Sequence, residues 1–306
     1  MKTQPSVPNN EVRQIHVVSQ VLLRRFVDPA TGMLTGYHLA SQRDYYPKSP
    51  KSVGWVEGFI RHQPRTHEDY WKAEVEDHLH DAFRAVDDRS IFSKPRQIRV
   101  LKDCIALHWA RSKSYQEVHQ MVMALVATRQ KQYWAEHRRD LLTAAFYHKR
   151  GFYPAGREAL ELINDELHQL PESIVDGSEF AGRIRGNFHD ARQRFDREHL
   201  EIAEPPAGCQ FLIGDAPVLS FYRQGITGPL PWYRAPLNEA STIVLPIGPQ
   251  HLAGLGRAER WVSLDVRMVD EMNRCQVLAA KGWVMYQPSS GLSTFVKHVS
   301  SVSADS

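Results

Sequence analysis

The stretch from Gln14 to Phe26, QIHVVSQVLLRRF, carries the polar side chains of this sequence that are best suited to chemistry. If residues 17 to 26 form a helix, His16 and Gln20 lie four residues apart on one face. The glutamine can then fix the tautomer of an imidazole that titrates near neutrality. Alternatively, His16 caps the helix and Gln20 satisfies a neighbouring loop. The first interpretation makes His16 a candidate general acid or base that Gln20 orients.

Two charged residues on apolar helical stripes are the next candidates. Arg111 lies one turn beyond His108 on such a stripe, and Glu76 lies at the margin of the stripe that contains Trp71. A guanidinium at the edge of a core needs a carboxylate or a ligand phosphate beside it. The sequence is therefore compatible with an internal Glu–Arg pair that joins two helices, or with a phosphate-binding arginine in a pocket completed by Glu76.

Asp215 is the fifth candidate, in the segment FLIGDAP from Phe211 to Pro217. It ends an apolar run just before a turn set by the proline. A carboxylate at a strand end is held rigidly and suits a metal ligand or a general base. Alternatively, its oxygens accept hydrogen bonds from turn amides, as aspartate commonly does.

The standard cofactor and hydrolase signatures are absent from the sequence. It contains no GxxxxGK[ST], GxGxxG, GxSxG or HExxH motif, which argues against common NTPases, dinucleotide enzymes, α/β-hydrolases and zincins. His78 and His80 point about 200° apart on a helix, so they do not chelate one ion. No cofactor is required by the sequence, although a divalent metal held by Asp215 and Glu76 fits the same residues.

Charge is distributed unevenly along the chain. From Arg89 to Arg150 there are 13 Lys and Arg against 4 Asp and Glu, whereas residues 151–210 carry 6 against 12. Aromatic residues are interleaved in the basic segment, so it could follow a phosphate backbone and stack bases. The alternative is that basic and acidic helices pack side by side and neutralise each other. The first interpretation makes RNA a candidate partner of residues 89–150.

The order of the predicted elements favours an α+β fold. Helical periodicity dominates from residue 68 to about 201, and short β-like runs follow Pro205, with one further strand near residues 33–40. We therefore predict a helix-rich N-terminal and middle region packed on a small, mainly C-terminal β-sheet that receives the His16 segment. Residues 1–12 are predicted to be a loose arm, 13–288 a single domain, and 289–306 a flexible serine-rich tail. No membrane span or signal peptide is predicted, which favours the cytoplasm.

Several short motifs together resemble bacterial domain-of-unknown-function family 4238. They are HVVSQVLLRRF, the helix with Trp71 and Glu76, IALHWARS, FLIGDAP and VLPIGP, in the order seen in that family. The family's first motif looks like H-x-x-P-Q-x-x-L-R-x-F, so Ser19 stands where proline is common. In its later motif, F-x-T-S-D-N-P, Gly214 and Ala216 replace serine and asparagine. The resemblance implies matched polar positions at His16, Gln20, Glu76, Arg111 and Asp215, and no established activity.

These residues can together run phosphodiester cleavage. The hypothesis is a nucleic-acid hydrolase of toxin or phage-defence type that cleaves RNA. His16 serves as acid or base, Gln20 orients it, Arg111 stabilises phosphate charge, and Asp215 and Glu76 complete the pocket. The alternative is a non-catalytic binding or regulatory protein in which the same residues form an internal network. The two differ in whether His16, Arg111 and Asp215 converge in an open cleft.

Overall fold

The computed structural model describes residues 14–57, 65–153, 156, 178–223 and 230–304. The described residues fall into two compact units, the first formed by 14–57, 65–115 and 184–304, the second by 116–153, 156 and 178–183. The sequence predicted one domain over 13–288, whereas contacts separate part of the middle region into its own unit. The predicted arm over 1–12 lies outside the described residues.

Helices account for most of the described residues up to residue 195. Described in chain order, they are α1 (Gln20–Leu23), α2 (Arg65–Glu74), α3 (Leu79–Asp87), α4 (Pro95–Ala110), α5 (Lys113–His137), α6 (Arg139–Arg150), α7 (Ser178–Phe195), α8 (Val266–Ala279) and α9 (Leu292–Ala304). Pro95 occupies the first turn of α4, where its missing N–H costs nothing. Asp265 begins α8 by accepting a hydrogen bond from the amide of Met268.

The strands form three sheets in the first unit. They are β1 (Gln14–His16), β2 (Leu34–His38), β3 (Arg43–Lys48), β4 (Trp55–Glu57), β5 (His199–Glu204), β6 (Ile213–Gly214), β7 (Leu219–Tyr222), β8 (Ala240–Gly248), β9 (His251–Gly256), β10 (Arg260–Ser263) and β11 (Trp283–Tyr286). One sheet has the order β10-β5-β9-β8-β7, the second β3-β2-β11-β6, and β1 pairs with β4 alone. Helices and mainly antiparallel sheets confirm the predicted α+β class.

The His16 segment does not join the late sheets, contrary to the prediction. Strand β1 instead runs antiparallel to β4, with His16 opposite Trp55. The early strand that does reach a late sheet is β2, which pairs with β11 so that Tyr37 faces Val284. Strand β1 has three residues and offers few hydrogen bonds. Pairing with β4 in a short local ribbon therefore satisfies its backbone groups, and β1 needs no edge of a larger sheet.

Helix α8 supplies apolar residues to the cores on both larger sheets. Its Val269 and Cys275 pack with Phe211 and Val244 against the five-stranded sheet. Its Val277 packs instead with Val284 of the four-stranded sheet and with α9. The helix therefore joins the two sheets within the first unit.

The segment 289–306 differs from the predicted flexible tail, because residues 292–304 form α9. Val296 and Val299 are three residues apart and buried against Tyr37 and Val284. Their burial offsets the entropy cost of ordering a serine-rich segment. Among the described residues, no helix has the length and apolar character needed to cross a membrane.

The basic segment 89–150 is divided between the two units rather than forming one helix. Helix α4 lies in the first unit, and its Lys102 is buried together with ten of its neighbours in the same helix. Helices α5 and α6 belong mainly to the second unit. They are separated at Arg138, whose backbone is not helical. The contact of RNA with residues 89–150 stays a prediction.

Candidate functional site

The segment that carries His16 is held by the backbone of Gly54. The carbonyl of Gly54 accepts hydrogen bonds from the amides of Val17 and Val18 at 2.9 and 3.3 Å. Gly54 has a φ of +83°, and a Cβ there would lie 2.4 Å from a methyl carbon of Leu23. Only glycine allows β4 to approach α1 this closely, so the glycine fixes the path of the chain on either side of His16.

The start of α1 is fixed by a buried histidine of α4. His108 is fully buried, and its Nε2 accepts a hydrogen bond from the Ser19 amide at 3.1 Å. Its Nδ1 lies 2.8 Å from the carbonyl oxygen of Cys104 and must donate, because a carbonyl only accepts. These partners select one neutral tautomer. Burial, with a smaller contribution from Arg111, lowers the pKa of His108 to about 3.

His16 lines an open pocket of about 340 Å³, which we call the His16 pocket. Its polar lining combines two imidazoles, two cations, two carboxylates and an amide, namely His16, His80, Arg24, Lys72, Glu76, Asp77 and Gln20. The pocket lies between α1, α2 and the short 3-10 helix Glu76–His78. Three of the five predicted site residues therefore converge here.

His16 and Gln20 contact each other as the sequence predicted, although not within one helix. His16 ends β1, whereas Gln20 opens α1 behind its Ser19 cap. The Gln20 amide nitrogen lies 3.1 Å from Nε2 of His16, and donation to that nitrogen keeps it unprotonated. Burial and the Arg111 charge lower the pKa of His16, while the Glu76 charge opposes them. The half-buried ring is thereby held in the neutral form that acts as a base.

Arg111 lies behind the His16 pocket, and the structure corrects its predicted role. The side chain is fully buried, and its Nη2 donates to Oε1 of Glu76 at 3.1 Å. Its guanidinium carbon lies 5.6 Å from the ring centroid of Trp71. The helical stripe of α4 carries it into the core, where no phosphate reaches it. The internal Glu–Arg pair between two helices, which the sequence left open, is the arrangement present.

Asp215 does not join the other four residues. Its oxygens accept the amides of Lys281 and Gly282 at 2.7 Å each, and its own amide donates to the Trp283 carbonyl at 3.1 Å. It lines a separate cavity that shares no residue with the His16 pocket. Burial raises its pKa, and the three backbone hydrogen bonds oppose that rise. These contacts match the alternative interpretation of Asp215, in which its oxygens accept hydrogen bonds from turn amides.

Asp215 and Glu76, which the sequence offered as joint ligands of a divalent metal, line different cavities. Each carboxylate is also engaged, Asp215 by two amides and Glu76 by Arg111. Across the ranges that the structure describes, no three His, Cys, Asp or Glu side chains gather as a metal-binding group.

Four polar residues of the pocket were not among the predicted site residues, namely Arg24, Lys72, Asp77 and His80. Arg24 matches the arginine of the motif H-x-x-P-Q-x-x-L-R-x-F and lies one helical turn from Gln20, which was a signal for it. Lys72 lies four residues before Glu76, but the helix ends between them, so a helical pattern does not show that they share the pocket. His80 lines the pocket while His78 does not, as the divergence of an i, i+2 pair predicts.

Arg25 has a different role from its neighbour Arg24. Its guanidinium forms a bidentate pair with Asp87 of α3, and its Nε donates to the Ile247 carbonyl of β8 at 3.0 Å. The same guanidinium lies 5.0 Å from the ring centroid of Phe83. Arg25 therefore anchors the His16 segment to a helix and a sheet, whereas Arg24 faces the pocket.

Residues 14–290 match the family model described as protein of unknown function, DUF4238. Because the match covers most of the chain, the protein belongs to this family. No curated protein and no solved structure matches the chain.

Proposed function

We propose that this member of the DUF4238 family is a nucleic-acid hydrolase that cleaves RNA at the His16 pocket. The observation that carries the proposal is that one open pocket combines two imidazoles with two cationic side chains. Imidazoles transfer protons near neutral pH, and cations stabilise the charge that develops on a phosphate during displacement. Arg24 and Lys72 thereby take the phosphate-binding role that the sequence assigned to Arg111.

The proposed reaction uses the 2′-hydroxyl of RNA as the nucleophile. Nε2 of His16 accepts the 2′-hydroxyl proton after the Gln20 amide, which donates to that nitrogen in the free protein, has moved aside. The 2′-oxygen forms a bond to phosphorus, the bond from phosphorus to the 5′-oxygen breaks, and His80 acts as the general acid that donates a proton to that leaving oxygen. Atoms and charges balance, and the products end in a 2′,3′-cyclic phosphate and a 5′-hydroxyl. Arg24 and Lys72 stabilise the phosphate oxygens throughout.

Two further residues position His16 without contacting the substrate phosphate. Gln20 holds the ring through its 3.1 Å contact with Nε2. Glu76 lies near enough to raise the pKa of His16, and its own carboxylate is fixed by the buried Arg111. The Glu76 charge favours the imidazolium that forms when His16 gains its proton, whereas burial and the Arg111 charge oppose it and keep the pKa of the free imidazole low.

The central experiment is cleavage of a labelled single-stranded RNA by purified protein. We expect His16→Ala and His80→Ala to lose at least a hundredfold in rate, as removal of a general acid or base does. His78→Ala is the matched control, because His78 lies two residues away and outside the pocket. Its rate should equal that of the wild type. Absence of cleavage by the wild type, or equal cleavage by all variants, contradicts the proposal.

The pH dependence offers a second measurement on the same reaction. The pKa of His16 lies below its ordinary value of 6.5, so the base is unprotonated throughout the neutral range. We expect kcat/KM to fall with decreasing pH only below about 6.5. An acid limb with its midpoint above 6.5 would contradict the assignment of His16. Parallel assays on DNA, and with Mg²⁺ or EDTA, test the substrate class and the metal.

The second candidate function is a non-catalytic binding or regulatory protein. The buried ion pair between Arg111 and Glu76 favours it, because it is the internal network that such a role predicts. The two candidates are separated by the His16→Ala and His80→Ala variants. RNA binding without cleavage by the wild type supports the second, whereas cleavage that both variants lose supports the first.

A cytoplasmic location completes the proposal, since RNA is accessible there. An RNA-cleaving enzyme that acts alone also suits a bacterial toxin or phage-defence role. Induced expression in a bacterial host tests this role. Growth arrest by the wild type, with recovery on His16→Ala, is the expected result, and unaffected growth contradicts it.

A further inference from the structure

The cavity that contains Asp215 has the composition of a site for a nucleic-acid base. It measures about 410 Å³ and is lined by aromatic rings, lysines and one carboxylate, including Tyr45, Trp55, Trp283, Lys48, Lys113 and Asp215. Aromatic rings that stack bases, beside cations that attract phosphates, are the two elements of single-stranded nucleic-acid binding. The His16 pocket, by contrast, has no aromatic ring other than its imidazoles.

One residue in the lining of each cavity is paired with the other across a two-stranded ribbon. His16 of the first and Trp55 of the second are directly opposed in the ribbon of β1 and β4. Opposed residues in an antiparallel pair have Cβ atoms roughly 5 Å apart. That separation is comparable to the span between a phosphate and the base of its own nucleotide. One nucleotide can therefore place its phosphate in the first cavity and its base in the second.

Tyr45 is the residue best placed to stack on a base. The Lys48 ammonium lies 4.7 Å from the centroid of its ring, so the ring face already holds a cation. The lysine side chain is flexible, and a stacked base would displace it toward a flanking phosphate. Burial and the charge of Asp215 raise the pKa of Tyr45, which is consistent with both groups facing one cavity.

Asp215 provides a rigid hydrogen-bond acceptor beside these rings. It is only 2% exposed, and the amides of Lys281 and Gly282 each engage one of its oxygens. A carboxylate has about four acceptor positions, so acceptor capacity remains after the backbone hydrogen bonds from Lys281, Gly282 and Trp283. The exocyclic amino groups of adenine and cytosine are donors of the kind such an acceptor selects, whereas uracil has a carbonyl at that position.

We propose that the Asp215 cavity binds the base of the nucleotide at the cleaved phosphate and prefers a base with an amino group over uracil. This inference rests on the proposed function, because it names a substrate subsite of the same enzyme. It also changes which part of the chain contacts RNA. Most of the contacts come from β3, β4 and residues 282–283, and Lys113 is the one lining residue from the basic segment 89–150.

The test measures binding of 5′-AMP, 5′-CMP and 5′-UMP by titration calorimetry. We expect the wild type to bind the first two about tenfold more tightly than 5′-UMP. Tyr45→Ala should weaken binding of 5′-AMP about tenfold through the loss of stacking. Tyr46→Ala is the matched control, since the adjacent tyrosine is 86% exposed and outside the cavity. Its affinity should equal that of the wild type.

His16→Ala separates this inference from the proposed function. The variant should keep the preference for 5′-AMP over 5′-UMP, which the Asp215 cavity sets, while it no longer cleaves RNA. If the wild type cleaves RNA but Tyr45→Ala changes neither nucleotide affinity nor base preference, the subsite is refuted and the nuclease stands. If nucleotides bind in a Tyr45-dependent way but no RNA is cleaved, the cavity stands and the nuclease is refuted. A Lys48→Ala variant with unaltered 5′-AMP affinity would also count against the subsite.

Discussion

The buried imidazole of His108 predicts how the stability of the first unit depends on pH. The folded-state pKa of about 3 lies far below the ordinary value of 6.5, so the unfolded chain binds more protons as the pH falls through 6.5. Stability is complete above that pH and decreases below it. From pH 7 to pH 5 the linkage relation gives a loss of about 2 kcal/mol for this single group.

The structure explains why protonation is resisted. A proton on Nε2 would face the Ser19 amide hydrogen that this nitrogen accepts, and Nδ1 already donates to Cys104. The charge would also be buried near the Arg111 cation, which lowers the pKa further. A glutamine at position 108 offers an acceptor and a donor but does not titrate. His108→Gln should therefore remove most of the 2 kcal/mol difference.

The assay is urea unfolding of the wild type and His108→Gln at pH 7 and pH 5. The wild type should lose about 2 kcal/mol more than the variant between the two pH values. Substitution of the exposed His148 by glutamine is the control and should leave the pH dependence of the wild type unchanged. Parallel losses in the wild type and His108→Gln would refute the reasoning, because they would mean that His108 titrates normally in the folded state.

Two further predictions concern the residues around the pocket. Ser19 has a φ of −63°, which suits proline, yet Ser19→Pro removes the amide N–H that donates to His108. A proline also stiffens the unfolded chain, which stabilises the fold. We expect a net decrease of about 1–2 kcal/mol in the free energy of unfolding, measured with urea. Ser19→Ala keeps that amide and should cost less than proline, so a proline variant as stable as the alanine variant would contradict the role of this bond. Glu76→Gln replaces a charged acceptor of Arg111 by a neutral one and should cost about 1–2 kcal/mol, against less than about 0.5 for the exposed Asp81→Asn. It should also move the acid limb of the RNA cleavage profile to lower pH, since Glu76 raises the pKa of His16; an upward shift would argue against their proximity.

Elements set by local pattern could be predicted from the sequence. Pro95 marked the first turn of α4, and the apolar runs after Pro205 became strands. The helical periodicity that begins at residue 68 does not give one continuous helix, because Val75 has a non-helical backbone before a 3-10 turn. Neither glycine nor proline marks that break. It accompanies the contact of Glu76 with Arg111, 35 residues along the chain, and a local pattern carries no information about such a distant partner.

The candidate site could also be predicted only in part, because a local sequence pattern carries no information about partners that are distant along the chain. The contact of His16 with Gln20 spans four residues and followed from local spacing. The positions of Arg111 and Asp215 depend on which elements pack together, so their types alone could not separate a ligand-binding role from a structural one. Asp215 accepts amides more than 60 residues away. The FLIGDAP motif departs from the family pattern at Gly214 for a steric reason. A Cβ at this position would lie 3.0 Å from the Gln276 carbonyl oxygen.

The pairing of β2 with β11 can form only late in the synthesis of the chain. Residue 38 lies opposite residue 283 in that ladder, so β2 leaves the ribosome long before its partner exists. At synthesis rates of roughly 5–20 residues per second, the delay is about 12 to 50 seconds. During that interval the edge of β2 is open to chaperones or to mispairing. The cavity around Asp215 takes residues from both β3 and β11, so it forms only after translation has passed residue 286.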